Sequence, residues 1–179
     1  MRNLTGLFIS AFCLIWTPTQ TQAAEQGKAT KAPKSQHASK SPRAPKAGTI
    51  FRDCPDCPQM VVIPAGRFAM GSPSSENERE ADEGPLHRVK VAAFALAKTE
   101  VTRGQFAAFV NETGYNAGDK CWTFADGKFR EREGDWRKPG YSQDDKHPVA
   151  CISWKDAQAY AKWMSRKTGQ QYRLPTEAE

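Results

Sequence analysis

Apolar positions are unevenly spread along this chain, and where they gather their spacing is that of short strands and two helices. Met60-Val61-Val62-Ile63 is a β-branched run closed by Pro64-Ala65-Gly66 and resumed by Arg67-Phe68-Ala69-Met70, which predicts a β-hairpin over 60–70. His87-Arg88-Val89-Lys90-Val91 alternates polar with apolar, and Phe94-Ala95-Leu96 carries a second apolar stretch toward Val101. Both read as strands of one small sheet within 87–100. Residues 72–85 between them are polar and acidic and read as a surface loop.

The period then changes. Thr102 and Gln105 have capping-box spacing, Phe106, Phe109 and Val110 follow on one helical face, and Gly114 stands at the end, so a helix is predicted over 102–113. Ser153 opens a second over 153–168, with Ala157, Tyr160, Ala161 and Met164 at helical spacing, Arg166 and Lys167 in the last turn and Gly169 as the stop. Residues 115–150 hold no sustained period, and loops of that length are often functional. Trp122, Phe124, Phe129 and Trp136 favour burial, so this stretch reads as an ordered, loop-built surface rather than disorder.

The N-terminal region follows neither pattern. Arg2, an apolar run over 4–16 and the small-residue exit around Ala23 and Ala24 predict a signal peptide over 1–23 and an exported protein, periplasmic or extracellular. The run is shorter than the ~17–25 apolar residues of a spanning helix. Residues 24–50 have almost no large apolar side chain and are predicted to be a disordered basic linker, leaving 51–179 as the folded part.

Charge changes the picture in one respect. The whole chain has a formal net charge of +6. The linker holds Lys28, Lys31, Lys34, Lys40, Arg43 and Lys46 against Glu25, and Arg2 lies in the leader, so the folded part is formally neutral. The basicity belongs to a tail, which argues against a nucleic-acid partner; the linker reads first as a solvated tether, with contact to an anionic envelope surface as the alternative.

With Cys13 in the leader, four cysteines remain, an even number that in an exported protein suggests disulfides. Three pairings are open. Cys54–Cys57 and Cys121–Cys151 are favoured, because the first two are adjacent and the others flank one long loop. Zinc or redox exchange at Cys54-Pro55-Asp56-Cys57 is the rival reading. No second ligand pair supports zinc, and the motif precedes a strand rather than opening a helix, which disfavours redox exchange. Glu100 and Asp156 could be read as paired carboxylates. Asp156 sits three positions after a cap, where a carboxylate favours the helix N-terminus, and is assigned a structural role; Glu100 precedes a cap and is assigned no catalytic one.

A series of segments now stands in order: Val61-Val62-Ile63-Pro64-Ala65-Gly66, Phe68, Met70-Gly71-Ser72, Glu100-Val101-Thr102, Phe109-Val110, Thr113-Gly114-Tyr115, His147-Pro148-Val149, Ser153-Trp154, Asp156-Ala157, Ala159-Tyr160, and Arg173-Leu174-Pro175-Thr176-Glu177-Ala178-Glu179. The series resembles the formylglycine-generating enzyme, or sulfatase-modifying factor, family over about residues 58–179. The resemblance implies an α+β, C-type-lectin-like fold with little regular secondary structure. It also implies oxygen- and copper-dependent oxidation of a peptide cysteine in a sulfatase-like partner, with copper and calcium sites in the half of the family domain that follows. Gly118-Asp119 resembles a pair on the family's substrate groove, so Asp119 is a candidate substrate contact. Thr176 and Glu179 repeat capping-box spacing at the very end, which predicts that the chain is the front part of a longer protein and is inactive by itself.

Three function classes follow: an exported oxidase of peptide cysteine in full-length form, a lectin-like binding or accessory domain of the envelope, and an iron-dependent sulfoxide synthase. The third needs a histidine-rich helical domain, for which nothing upstream is a counterpart.

Overall fold

The computed structural model describes residues 13–17, 46–125 and 127–179. Its main layer is a five-stranded antiparallel sheet in the order β2 (Ile50–Phe51), β3 (Met60–Ile63), β6 (Phe94–Ala97), β1 (Ile15–Thr17) and β9 (Gln171–Arg173). Met60 and Val62 are buried while Val61 and Ile63 are only half-buried, the period-two signature of a strand packed on one face. Their partners across the register are Ala97 and Ala95, whose small side chains leave room for larger ones from the helices.

Helix α1 (Arg103–Thr113) starts where its cap predicts: Thr102 Oγ1 accepts from the Gln105 amide, and Gln105 returns a bond to the Thr102 amide. Helix α2 (Trp154–Thr168) has the same reciprocal cap between Ser153 and Asp156. Both end at a left-handed glycine, Gly114 and Gly169. Phe106, Phe109, Tyr160 and Met164 from the helices join Met60, Ala95, Ala97 and Tyr172 from the sheet in one buried cluster, with Trp136 closing it from the loop side. Phe106 meets both Phe109 and Trp136 edge-on at 5.4 Å between ring centres, a preferred aromatic geometry.

Strand pairing departs from expectation. The 60–70 run is not a hairpin, and 87–91 and 94–97 do not share a sheet. Instead β4 (Gly66–Met70) pairs with β5 (His87–Val91) in a separate two-stranded ribbon, while β3 and β6 enter the main sheet. The reason is burial: β3 and β6 carry the residues that face the helices, whereas β4 and β5 are largely exposed. Between β4 and β5, Gly71 adopts φ 94°, and a Cβ there would lie 2.8 Å from the Glu83 carbonyl oxygen and 2.9 Å from that of Pro85. Only glycine fits that approach. Ser72 then donates from its amide to the Glu83 carbonyl and from its hydroxyl to the Glu83 carboxylate, each at 2.9 Å.

The 115–150 stretch also holds more regular structure than its sequence predicts. Strands β7 (Lys120–Ala125) and β8 (Lys128–Glu133) form a hairpin. Every residue of β8 is exposed, so no buried face imprints an alternation on the sequence. Trp136 buries as expected, whereas Trp122 and Phe129 are exposed.

At the N-terminus, Leu14 and Ile15 are fully buried, and β1 lies between β6 and β9. Removal of 1–23 as a leader would take this strand away and leave the facing edges of β6 and β9 unpaired. The rest of the expected leader and most of the expected linker lie outside the described residues. Residues just before 51 are tied to the sheet: the Gly48 amide donates to the Val62 carbonyl, and Val62 to Thr49.

Candidate functional site

The segments that carry the family pattern meet in pairs. Val149 donates its amide to the Val101 carbonyl at 2.9 Å, and Arg103 to the His147 carbonyl at 2.9 Å, so His147-Pro148-Val149 lies along the entry to α1. Val101 and Val149 are both fully buried. An ion pair of 2.9 Å between Arg103 and Asp145 fixes the same loop from outside. This arrangement holds Lys146 beside the first turn of α1.

That turn forms one wall of a cavity of about 620 Å³, whose lining includes Cys54, Cys57, Thr102, Lys146, Tyr160 and Lys167. Arg52 and Asp56 also face it, giving three cations to one acid. Lys167 is engaged: it pairs with Glu112 at 2.6 Å and sits 4.7 Å above the Trp163 ring, while Trp163 Nε1 donates to the other Glu112 oxygen at 2.9 Å. These bonds, from Lys167 first and then Trp163, hold the Glu112 carboxyl below its usual range. Lys146 makes no ion pair among the described residues.

Cys54 and Cys57 are joined in a disulfide with their Cα atoms 5.0 Å apart, and the Cys57 amide closes the turn on the Cys54 carbonyl at 3.1 Å. Arg52 donates to the Cys57 carbonyl, and Tyr172 donates its hydroxyl to Asp53, which anchors the segment to β9. Burial first, and then the Asp53 carboxylate, push the Tyr172 hydroxyl well above the usual phenol range. The second disulfide, Cys121–Cys151, spans 30 residues and ties the start of β7 to the segment before α2.

Asp119 stands elsewhere, exposed at the foot of the β7–β8 hairpin. Its carbonyl accepts from the Gly134 amide at 2.9 Å, and Gly118 before it has φ 78°. It is not among the residues lining the 620 Å³ cavity. Asp156 is saturated by its cap and by Tyr115, which excludes it from acid–base work.

Among the described residues the donor set does not fit copper or calcium. Among the described residues no three His, Cys, Asp or Glu side chains converge on a point, and Cys54, Cys57, Cys121 and Cys151 are all spent in disulfides. A second cavity of about 460 Å³ is acidic, with Glu76, Asp82, Glu83 and Glu177 in its lining beside Gly71 and Ser72, yet these carboxylates do not form such a cluster.

Residues 46–179 match the sulfatase-modifying factor enzyme 1-like domain. The chain belongs to this family. A formylglycine-generating enzyme of Thermomonospora curvata is 36% identical over 149 residues, covering 67% of this chain and 46% of the relative. The mouse protein named inactive C-alpha-formylglycine-generating enzyme 2 is 32% identical over 148 residues, covering 68% and 46%. The solved structure of PvdO from Pseudomonas aeruginosa superposes with a TM-score of 0.64 at 44% identity, covering 75% of this chain and 50% of that one. The chain thus spans about half the length of the relatives it matches. Among the described residues, its α+β architecture of two α-helices and several antiparallel sheets is that of the sulfatase-modifying factor domain. The cavity beside Cys54 and Cys57 was not legible in sequence, because its walls come from segments about 50 residues apart.

Proposed function

We propose that this chain is the N-terminal part of an exported formylglycine-generating-enzyme-like protein, and that the full-length protein oxidises a peptide cysteine, in a sulfatase-like substrate, to formylglycine. The observation that carries the reading is the family match over 46–179 together with a relative of that named activity at 36% identity. Residues 1–179 alone are inactive on this reading, since the donor set of the described residues does not fit copper; the metal, and any calcium, are assigned to residues outside them. Asp119, exposed beside the hairpin, is a contact for the peptide. Export rests on the charged start, the short apolar run and the small-residue exit of the leader, and the basic linker then meets an anionic envelope surface.

A second reading, a non-catalytic lectin-like or accessory domain, is favoured by the relative whose name declares it inactive at nearly the same identity. The two are separated by offering the full-length protein a Cys-x-Pro-x-Arg peptide and following conversion of thiol to aldehyde by mass. Asp119→Ala in the full-length protein should raise KM with kcat held, as expected for a contact made equally in ground and transition states.

A further inference from the structure

We propose that the Cys54–Cys57 disulfide is an exchangeable bond, and that the adjoining cavity admits a peptide cysteine whose thiolate attacks Cys54. The inference uses only groups of this chain and does not depend on formylglycine formation. Both cysteines line the cavity, but they are unequally exposed: Cys57 is 1% exposed and packed in the core, whereas Cys54 is only half-buried. An incoming thiolate therefore reaches Cys54. The Cys54–Cys57 bond breaks as a bond forms between the peptide sulfur and Cys54 Sγ. The electron pair leaves on Cys57 Sγ, which takes a proton from water. One disulfide is consumed and one mixed disulfide is made, so the step balances with the peptide thiol as its only co-reactant. A second thiol in the peptide would release it as a peptide disulfide and leave Cys54 and Cys57 reduced.

The surroundings favour this direction. Thiol–disulfide exchange is faster when the attacking thiol is ionised and the leaving thiol is acidic, and neighbouring cations promote both. With Lys167 paired to Glu112, the cavity still holds an excess of positive charge through Arg52 and Lys146 against Asp56. Arg52 is bonded to the Cys57 backbone carbonyl, so its charge stays at the Cys54–Cys57 turn, and Lys146 is not committed to an ion pair among the described residues. The Cys54–Cys57 turn itself is held from outside by Tyr172 on Asp53 and by its own 3.1 Å backbone bond, so opening the S–S bond leaves the two thiols side by side, ready to close again.

The test uses the oxidised full-length protein and a peptide with a single cysteine, with acid quenching, alkylation and peptide mapping. The expected result is a mixed disulfide on Cys54 with an alkylatable thiol at Cys57, and Cys121–Cys151 intact. Lys146→Gln, an exposed substitution that leaves the core untouched, should slow the exchange about threefold, the effect of roughly one unit of thiol pKa at the usual Brønsted slope. Cys57→Ser should leave Cys54 as a thiol that takes up a disulfide-bonded form of the same peptide. An adduct confined to Cys57, or no adduct in the folded protein while the urea-unfolded protein reacts at both positions, overturns the proposal. An adduct at Cys54 formed equally fast with Lys146→Gln overturns the role given to the cavity's charge. Formylglycine assays on the same samples report separately, since loss of one activity leaves the other readable.

Discussion

Tyr115 donates its hydroxyl to Asp156 at 2.9 Å, and through that bond the end of α1 is tied to the start of α2. The other Asp156 oxygen accepts from the Ser153 amide at 2.6 Å and the Ser153 hydroxyl at 2.8 Å. The carboxylate is 5% exposed, so each of these bonds replaces water it can no longer reach. Asp156→Ala should therefore destabilise by about 1–2 kcal/mol, the loss of the helix cap together with the bond that ties Tyr115 to α2. Equilibrium urea unfolding checks the magnitude.

The same contact has a pH signature. Burial first, and then the bond to Asp156, push the Tyr115 hydroxyl up to about 12 from 10. The folded state holds this proton more tightly than the unfolded one. Its contribution is thus complete below about pH 10 and is lost as pH rises toward 12. Alkaline unfolding should begin in that window, and Tyr115→Phe should flatten the pH dependence there while lowering stability at neutral pH. An unchanged alkaline profile in the variant would assign the effect to other groups.

Acid acts at the opposite end of the chain. Arg173 grips Glu179 through both guanidinium nitrogens at 2.6 Å, and the Glu179 carboxylate also accepts from the Thr176 amide and hydroxyl. Arg173 above all holds the Glu179 carboxyl at about 2, below its ordinary 4.5. Because the folded value is depressed, the contribution is present above about pH 4.5 and fades as pH falls toward 2. Glu179→Gln should reduce the acid sensitivity of the urea midpoint between pH 5 and 2.5, and an undiminished slope would contradict this assignment.

The Cys121–Cys151 bridge closes a 30-residue loop around the β7–β8 hairpin. In the chain-entropy account that closure stabilises by about 3–4 kcal/mol. Cys121→Ser with Cys151→Ser should show a loss of this size by denaturant titration, with β7–β8 amides losing most of their exchange protection.

Helices and caps were legible because their causes are local: Thr102 to Gln105 and Ser153 to Asp156 lie one turn apart, and Gly114 and Gly169 follow directly. Strand partners were not. Val61 meets Leu96 across 35 positions, and nothing in the β3 pattern distinguishes that partner from the nearer Phe68. Strand β8 escaped for a different reason, as an exposed ribbon has no buried face to leave a period. The disulfide pairing was reached through compartment and adjacency, while the cavity that Cys54 and Cys57 share with α1 and α2 is a product of tertiary packing alone.

Strand β1 gives a further expectation. Ile15 is fully buried between Leu96 and Arg173 in register, so within the 179-residue chain Ile15→Ala should cost about 2–4 kcal/mol. A chain that begins at residue 24 should lose more, since both neighbouring strand edges then lack a partner. Circular dichroism melts of the two chains, produced without export, would settle the contribution. Equal melting temperatures would mean that β1 adds nothing to the sheet.

Formylglycine formation by the full-length protein tests the central claim most directly. The measurement is the mass conversion of a Cys-x-Pro-x-Arg peptide from thiol to aldehyde, with copper and oxygen supplied, by the full-length protein and by residues 1–179 in parallel. The account predicts turnover by the first and none by the second. No aldehyde from the full-length protein, with peptide or glycan binding retained, would contradict the oxidase reading in favour of an accessory domain. Turnover by residues 1–179 alone would contradict the assignment of the metal to residues outside them.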